Sequence, residues 1–244
     1  MRPYQSLKVA RCKTHHLYLG RPAYTKRFLD VLKYHAPGLA PVCDASGSYH
    51  INTLGEPAYE ARFEKTFGFY HGMAAVLGDR WFHIRPSGEP LYPESYLFCG
   101  NYCESKVVVL SESGAFHLDL EGKRIYPHSF IYVGDFYDDF ACVQLENGFY
   151  THIDQTGNTI YDSTFLDLDV FHKGYARART KGGWCHIDEA GLPIYEERYA
   201  MIEPFYNGFA RVETFDGELK IIDQSGSSVR ALRELSYKIM EQGH

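Results

Sequence analysis

The chain has little tryptophan, no long apolar run and no excess of positive charge. Only 2 of its 244 residues are Trp, although it has 20 Tyr and 16 Phe. No stretch approaches the roughly 18 consecutive apolar residues that a membrane-spanning helix needs. The net charge is −6, whereas a surface that binds nucleic acid requires clustered positive charge. We therefore expect a protein that binds neither membranes nor nucleic acid.

The N-terminal segment and the cysteines show two further absences. The first residues, MRPYQSLKVARCKTHH, contain no apolar core of a secretory signal, so we expect a cytoplasmic protein whose cysteines are thiols. Cys99 and Cys103 are spaced as C-x3-C, but no second pair completes a zinc site. The sequence also has no phosphate-binding loop, dinucleotide fingerprint or nucleophile elbow. It predicts no cofactor and no enzymatic activity.

The sequence is organised by an internal repeat. Each copy reads aromatic or small, any residue, His, aliphatic, three variable residues, Gly, three variable residues, Tyr, three variable residues, and Phe or Tyr. Upstream, His15 with Gly20 and Tyr24 keeps these offsets, and downstream Ile221 takes the position of the histidine. The five complete copies are SYHINTLGEPAYEARF (48–63), WFHIRPSGEPLYPESY (81–96), AFHLDLEGKRIYPHSF (115–130), YTHIDQTGNTIYDSTF (150–165) and WCHIDEAGLPIYEERY (184–199).

A second motif lies between these copies and reads aromatic, x, x, Gly, x, Ala, x, Val. The clearest examples are FYHGMAAV (69–76), FHKGYARA (171–178) and FYNGFARV (205–212). The histidines of the five complete copies are 33, 34, 35 and 34 residues apart. Two motifs in phase along the chain predict tandem copies of a unit about 34 residues long.

Alternation within the motifs predicts β-strands. In G-x-A-x-V the Ala and the Val share one side of a strand. The segment Asp-x-x-Gly after the histidine strand is turn chemistry, because Asp bonds the backbone ahead of it and Gly accepts a positive φ. Each unit is therefore predicted as a β-meander with an Ala–Val strand, a His strand, a strand at Ile–Tyr and an aromatic-rich return. The predicted fold class is all-β.

Two arrangements of these meanders are compatible with the sequence. A unit of about 34 residues is short for a four-stranded propeller blade, which favours units stacked as an open twisted solenoid. A closed propeller-like ring is the alternative, because the chain enters and leaves in the middle of a unit, as ring closure requires.

The repeat pattern predicts a β-repeat domain over residues 1–230, and the period changes after Gly226. Leu232, Leu235 and Ile239 fit one helical stripe. We therefore predict that residues 231–244 form a short C-terminal helix or a linker, which either caps the repeats or leads to a further domain.

The combined motif, [FY]-x-x-G-x-A-x-V followed by aromatic-x-His-Ile and then G-x-x-x-Y, resembles the WG-repeat family over roughly residues 8–230. The chain departs from the name-giving Trp-Gly pair, because Phe82 follows Trp81 and Cys185 follows Trp184. The resemblance implies a bacterial β-repeat module that mediates interactions. Some members are similar to N-terminal arms of proteins with a methyltransferase-like domain. The family brings no catalytic residues.

The repeated histidines allow two interpretations. Histidine binds metals and titrates near neutrality, so the column could form a metal site, or a pH switch in which acid charges neighbouring rings. In the second interpretation the rings are packing residues, which Ile221 in the last copy favours. The tyrosines of the repeat are likewise interpreted as a core ladder rather than a ligand platform. The candidate metal ligands are His50, His83, His117, His152 and His186.

Positions that break the repeat are better candidates for function, because recognition or catalysis needs one unique constellation. The segment FYDDF supplies Tyr137, Asp138 and Asp139, and a basic stretch supplies Arg177 and Arg179. An acidic aromatic segment beside a basic stretch predicts a groove for a peptide. Our hypothesis is a non-catalytic scaffold module that recognises a protein or peptide, in one version as the partner-binding arm of a methyltransferase-like protein. The alternative is a lectin-like module that binds a sugar, small molecule or metal through the His or Tyr columns.

Overall fold

The structure, a computed structural model, describes residues 3–233, and within that range the regular elements are β-strands and one short 3-10 helix. The strands form seven small antiparallel sheets, which confirms the predicted all-β repeat. The chain divides into two compact units, Met1–Ser129 and Phe130–His244. Between residues 3 and 233 there is no helix of the length and apolar character needed to cross a membrane.

The first unit begins with the 3-10 helix Tyr4–Ser6 and contains four three-stranded sheets. Their strands, sheet by sheet, are β1 (Leu7–Val9), β2 (His16–Tyr18) and β3 (Arg21–Pro22); β4 (Asp30–Val31), β5 (Ala40–Asp44) and β6 (Gly47–Ile51); β7 (Lys65–Thr66), β8 (Ala74–Leu77) and β9 (Trp81–Ile84); and β10 (Phe98–Cys99), β11 (Val107–Ser111) and β12 (Gly114–Leu118).

The second unit contains two three-stranded sheets and one four-stranded sheet. Their strands are β13 (Tyr132–Val133), β14 (Ala141–Gln144) and β15 (Tyr150–Ile153); β16 (Asp167–Leu168), β17 (Ala176–Thr180) and β18 (Gly183–Ile187); and β19 (Met201–Ile202), β20 (Phe209–Glu213), β21 (Leu219–Asp223) and β22 (Ser228–Arg233).

The typical sheet combines a two-residue strand, the predicted Ala–Val strand and the predicted His strand. In the sheet β16–β17–β18, the middle strand pairs with β16 on one side and with β18 on the other. The Asp-x-x-Gly turn after β18 forms as predicted, because the Asp188 carboxylate accepts hydrogen bonds from the backbone N–H groups of Ala190 and Leu192, both at 3.0 Å.

The predicted Ile–Tyr strand is wrong as a regular strand in the complete copies. After β18 it is reduced to single bridges, Ile187 with Pro193 and Trp184 with Tyr199. Proline has no N–H to donate to a ladder, and prolines occupy the same bridge position after β6 and β9. A fourth strand therefore does not extend beyond one residue pair there.

The core is formed on both faces of the His strands. The aliphatic residue after each histidine is almost fully buried, as Ile187 illustrates, and the histidine beside it is buried as well. Successive residues of a strand point to opposite faces. Each His strand therefore buries both of its sides, as central strands between packed layers do.

The chain end departs from the predicted helix. Residues 231–233 belong to strand β22, which pairs antiparallel with β21. The open edge of β21 offers unpaired backbone N–H and C=O groups, and β22 satisfies them. Residues 234–244, where the rest of the predicted helix falls, lie outside the described residues. The choice between an open and a closed arrangement of the repeats stays a prediction.

Turn glycines of the repeat pack against the rings of the Tyr column. Two Gly→Ala variants, one at a glycine with this contact and one at a glycine without it, test the packing. Gly191 has φ +71°, and an added Cβ would lie 2.6 Å from Cγ of Tyr161. Gly208 has φ +82°, and an added Cβ would meet nothing within 4 Å. We expect Gly208→Ala to cost about 1 kcal/mol, from backbone strain alone, and Gly191→Ala to cost about 3 kcal/mol or more, because it also overpacks the ring. Urea unfolding at pH 8 measures both, and equal losses would contradict the packing account.

Candidate functional site

The histidine of each repeat is a buried hydrogen-bonding centre. Nδ1 of His186 lies 2.6 Å from the hydroxyl of Tyr195, and Nε2 lies 2.8 Å from the backbone oxygen of Glu203. A carbonyl oxygen only accepts hydrogen bonds, so Nε2 carries the proton and donates it. The unprotonated Nδ1 then accepts the hydrogen bond of the tyrosine hydroxyl. The geometry fixes a neutral ring in one tautomer.

The same arrangement recurs in both units. The tyrosine partners of His50, His83 and His152 are at 2.5, 2.6 and 2.5 Å. Their carbonyl partners are the backbone oxygens of Phe67, Gly100 and Asp169, at 2.7, 2.9 and 2.7 Å. His117 contacts the hydroxyl of Tyr126 at 2.6 Å.

Each carbonyl partner stands just after the first strand of the following sheet. Phe67 follows β7, so His50 of β6 joins two consecutive sheets of the first unit. Asp169 follows β16, so His152 of β15 does the same in the second unit. The column therefore acts as a series of hydrogen-bonded links between neighbouring repeats, which are otherwise separate sheets.

The prediction of His15 as the first member of this column is wrong by one residue. His16, fully buried, contacts the hydroxyl of Tyr24 at 2.6 Å and the backbone oxygen of Leu32 at 2.8 Å. The separation of His and Tyr is eight residues here and nine in the complete copies. The first turn is one residue shorter, so the offset in the sequence pointed to His15, the half-buried neighbour of the true member.

The geometry gives the metal interpretation of the histidines no support. Both ring nitrogens of His50, His83, His152 and His186 already have hydrogen-bond partners within the chain. In the part of the chain that the structure describes, no three side chains of His, Cys, Asp or Glu are arranged to hold a metal ion. The contacts favour the interpretation of these rings as packing residues.

The buried rings have strongly lowered basicity. Burial lowers the pKa of His50, His83, His152 and His186 to about 4, because a charged ring loses its hydration there. An aromatic ring also covers one face of the imidazole, as Phe205 does for His186 with ring centroids 4.0 Å apart. The column is therefore acid-sensitive through burial, and no mutual repulsion between the rings is needed.

Acid should unfold the protein well before its surface carboxylates are protonated. The unfolded chain binds protons at its histidines with a pKa near 6.5, whereas the folded chain resists protonation until about pH 4. The stability that the neutral rings contribute above pH 6.5 is therefore lost as the pH falls towards 4, by about 2 kcal/mol per histidine at pH 5. We expect the melting temperature to fall by roughly 20 °C between pH 7.5 and pH 5. A melting temperature that is constant over this range would contradict the assignment.

One pocket of the second unit combines charged and aromatic side chains. It has a volume of about 570 Å³ and lies between the sheet β16–β17–β18 and the sheet that begins with β19. We call it the Arg177 pocket. Its lining includes three aromatic side chains, Tyr175, Phe205 and Tyr206, and three charged ones, Asp169, Arg177 and Glu203.

Arg177 is held from two sides. Its Nε donates a hydrogen bond to Oδ2 of Asp169 at 2.5 Å, and its Nη1 donates one to the backbone oxygen of Ile202 at 2.8 Å. Its guanidinium carbon lies 5.6 Å from the ring centre of Trp184. The side chain stays 29% exposed. The pocket thus has a fixed cation at its wall rather than a mobile surface arginine.

Arg177 occupies a position that is apolar in the earlier complete repeats. It pairs in register with His186, and the corresponding partners of the other histidines are Pro41, Ala75, Val108 and Cys142. In the last sheet the position is Arg211, which forms an ion pair with Glu203. This column therefore carries charge only near the end of the second unit.

The structure places the other predicted binding residues outside the lining of this pocket. Arg179 is exposed on β17, two residues beyond Arg177, and pairs in register with Asp167 and Trp184. Tyr137, Asp138 and Asp139 form an exposed tight turn before β14, in which the side chain of Gln155 donates a hydrogen bond to Asp139.

This turn is one of three equivalent turns in the second unit. The three are 137–140, 172–175 and 206–209, each closed by a bridge between its first and last residue, and we call them the turn row. Phe140 packs on Phe171 at 5.5 Å between ring centroids, and Tyr175 packs on Phe205 at 5.4 Å. The first two turns therefore each contact the segment that leads into the next turn. His172 and Tyr175 of the second turn and Tyr206 of the third also line the Arg177 pocket.

Sequence reasoning found Arg177 but missed Asp169, Glu203 and Tyr206. The sequence contains a signal for Asp169 and Glu203. The residue after the first short strand is Leu32, Phe67 or Gly100 in earlier repeats and becomes acidic only at Asp169 and Glu203. Tyr206 occupies the same position of its turn as Tyr137. The alignment of the repeats that indicated Tyr137 could therefore have indicated Tyr206 as well.

These features define an all-β repeat protein, in which a pocket of the second unit combines charged and aromatic side chains. The sequence model of the family described as "WG containing repeat" matches residues 51–77 and 150–184. The WG-repeat resemblance predicted from the sequence is therefore confirmed at two places in the chain. No curated protein matches the chain significantly.

Solved structures resemble the chain in fold at low sequence identity. The crystal structure of a eukaryotic initiation factor matches with a TM-score of 0.53 and 10% identity, covering 86% of this chain and 66% of that one. BamB from Moraxella catarrhalis matches at 0.49 and 14%, covering 95% and 86%. The WD40 β-propeller domain of Doa1 matches at 0.35 and 15%, covering 85% and 86%. At these identities the likeness to the initiation factor shows a shared fold alone.

Proposed function

We propose that this chain is a non-catalytic recognition module that binds an extended peptide segment of a partner protein. The Arg177 pocket is the site at which one side chain of the peptide enters. The observation that carries the proposal is the departure of one repeat column from apolar residues to the ion pair of Arg177 and Asp169, beside open aromatic walls.

The composition of the pocket suits a side chain of a peptide. Binding pockets are mostly apolar concavities in which a few fixed polar groups orient the ligand. Here Tyr175, Phe205 and Tyr206 supply the apolar walls, and the polar groups of Asp169 and Arg177 are fixed by their mutual ion pair.

The turn row supplies the length that peptide recognition needs. Tyr206 is 75% exposed and Tyr137 is 51% exposed, at equivalent turns of the second unit. Asp138 and Asp139 lie beside Tyr137. Extended peptides bind by placing successive side chains in successive pockets or aromatic contacts. We propose that the predicted residues Tyr137, Asp138, Asp139 and Arg179 contact the flanks of such a segment.

The buried His and Tyr columns bear on the proposal because their side chains are already used in contacts within the chain. The Tyr rings pack on turn glycines and the His rings hydrogen-bond to neighbouring sheets, and these contacts favour a packing role for both columns over binding of a sugar or a metal. The lectin-like alternative therefore has less support than peptide binding. The net charge of −6 supports a protein partner over a nucleic acid. A role as the partner-binding arm of a longer, methyltransferase-like protein is part of the same proposal.

Selection from a random peptide library tests the proposal. Twelve-residue peptides displayed on phage are selected on the immobilised full chain, and the best binders are remeasured in solution. We expect Tyr206→Ala and Arg177→Ala each to weaken binding about tenfold, because central aromatic and Arg contacts dominate such interfaces. Tyr70→Ala, at the equivalent turn of the first unit, is the matched control and should leave binding unchanged. Selected peptides that bind both pocket variants as tightly as the wild type would overturn the proposal, as would the absence of any binder.

A further inference from the structure

We infer that the Arg177 pocket receives a cationic side chain of the bound segment, and that it takes arginine in preference to lysine. The inference rests on the proposed function, because it names the chemistry of the residue that the peptide places there. Its basis is the juxtaposition of two carboxylates and three aromatic rings around one open volume.

The charges of the lining favour a cation. Asp169 and Glu203 are negative and Arg177 is positive, and His172 and His186 also line the pocket. With the histidines neutral, the lining has one more negative than positive side chain. Asp169 and Arg177 neutralise each other across 2.5 Å. The counter-ion of Glu203 is Arg211, which approaches from outside the lining. The ion pair of Glu203 with Arg211 has both side chains 44% exposed, and solvent weakens such a pair. A positive guest in the pocket could therefore share the carboxylate of Glu203 with Arg211, whereas a negative guest would be repelled by it.

Both carboxylates retain the capacity to accept a further hydrogen bond. Glu203 is 44% exposed and uses Oε1 for Arg211, and Asp169 is 35% exposed and uses Oδ2 for Arg177. An ionised carboxylate has about four lone-pair sites on its two oxygens. A planar guanidinium carries five N–H donors in a fork that matches carboxylate geometry, whereas an ammonium is a compact point charge.

The aromatic walls select for the same group. The face of an aromatic ring attracts cations, and arginine also stacks its plane on such a ring. Phe205 uses one face for the stacked His186, and Tyr175 meets its ring at 68°. Tyr206, at 75% exposure, presents its ring to the pocket mouth. A guanidinium can therefore stack on tyrosine while it bonds the acidic wall.

Small probes test the inference directly on the full chain. The probes are the α-N-acetyl amides of arginine, citrulline, lysine and glutamate, titrated into isotope-labelled protein and followed by NMR chemical shifts. Citrulline keeps the shape of arginine and removes its charge. We expect arginine to bind at least about tenfold more tightly than citrulline, and about threefold more tightly than lysine, because stacking and forked hydrogen bonds are added to the charge.

Variants locate the binding within the pocket. Glu203→Gln keeps the shape of the side chain and leaves the backbone oxygen that bonds His186 in place. It should weaken the arginine probe about tenfold, and Tyr206→Ala about fivefold, as expected for losing a charged partner and a cation–π contact. The matched control Tyr70→Ala should have no effect. Melting temperatures of the variants should stay close to the wild-type value, because Tyr206 is 75% exposed and Glu203 and Tyr70 are partly exposed.

The outcomes separate this inference from the proposed function. Equal binding of citrulline and arginine would overturn the role of charge. Equal binding of lysine and arginine would overturn the preference for arginine. Binding of the glutamate probe alone would show that the pocket takes an anion, and would overturn the inference of a cationic guest. If library peptides bind in a Tyr206-dependent way but contain no excess of arginine, the inference fails while peptide recognition stands. If neither peptides nor probes bind, both fail.

Discussion

An imidazole that is buried away from water must keep both ring nitrogens hydrogen-bonded, and this constraint organises the whole repeat. In His186 one nitrogen is tied to Tyr195 of its own repeat and the other to the backbone at Glu203 in the next sheet. The tyrosine that reaches the histidine also supports the turn glycine of the following copy, as Tyr161 does for Gly191. Small sheets that bury too little surface alone are thereby joined to their neighbours within each unit. The near-constant spacing of the copies follows from these links.

The His and Tyr positions of the repeat are used for packing. We therefore assign recognition to the repeat positions whose residue type varies from copy to copy. The position opposite the histidine is apolar in β5, β8, β11 and β14 and becomes Arg177 in β17. The residue that accepts the histidine hydrogen bond contributes only its backbone to that link, so its side chain is free to change. At Asp169 and Glu203 it becomes acidic. A binding pocket can therefore arise between two repeats without disturbing the hydrogen bonds that join them.

The sequence predicted the features that depend on local pattern and missed those that depend on neighbouring sheets. The Ala–Val strand, the His strand and the Asp-x-x-Gly turn are periodic in one copy and were predicted correctly. His16 was missed because a turn shorter by one residue shifted the first copy. The Ile–Tyr strand was overpredicted. Proline limits its pairing in three of the complete copies, as at Pro193, and the pairing is also a single bridge where Arg124 or Thr159 takes that position. Asp169 and Glu203 are 34 residues apart in sequence and share a pocket because they belong to consecutive sheets that lie side by side.

The most direct test of this account is the protonation state of the histidine rings. Two-dimensional spectra that correlate the ring nitrogens with the ring carbon-bound protons distinguish a neutral ring protonated at Nε2, a neutral ring protonated at Nδ1 and a charged ring. At pH 6 the account predicts that the buried histidines, including His50, His83, His152 and His186, are neutral with the proton on Nε2. Buried rings that are charged at pH 6, or protonated at Nδ1, would contradict the hydrogen-bonded links on which the fold is explained.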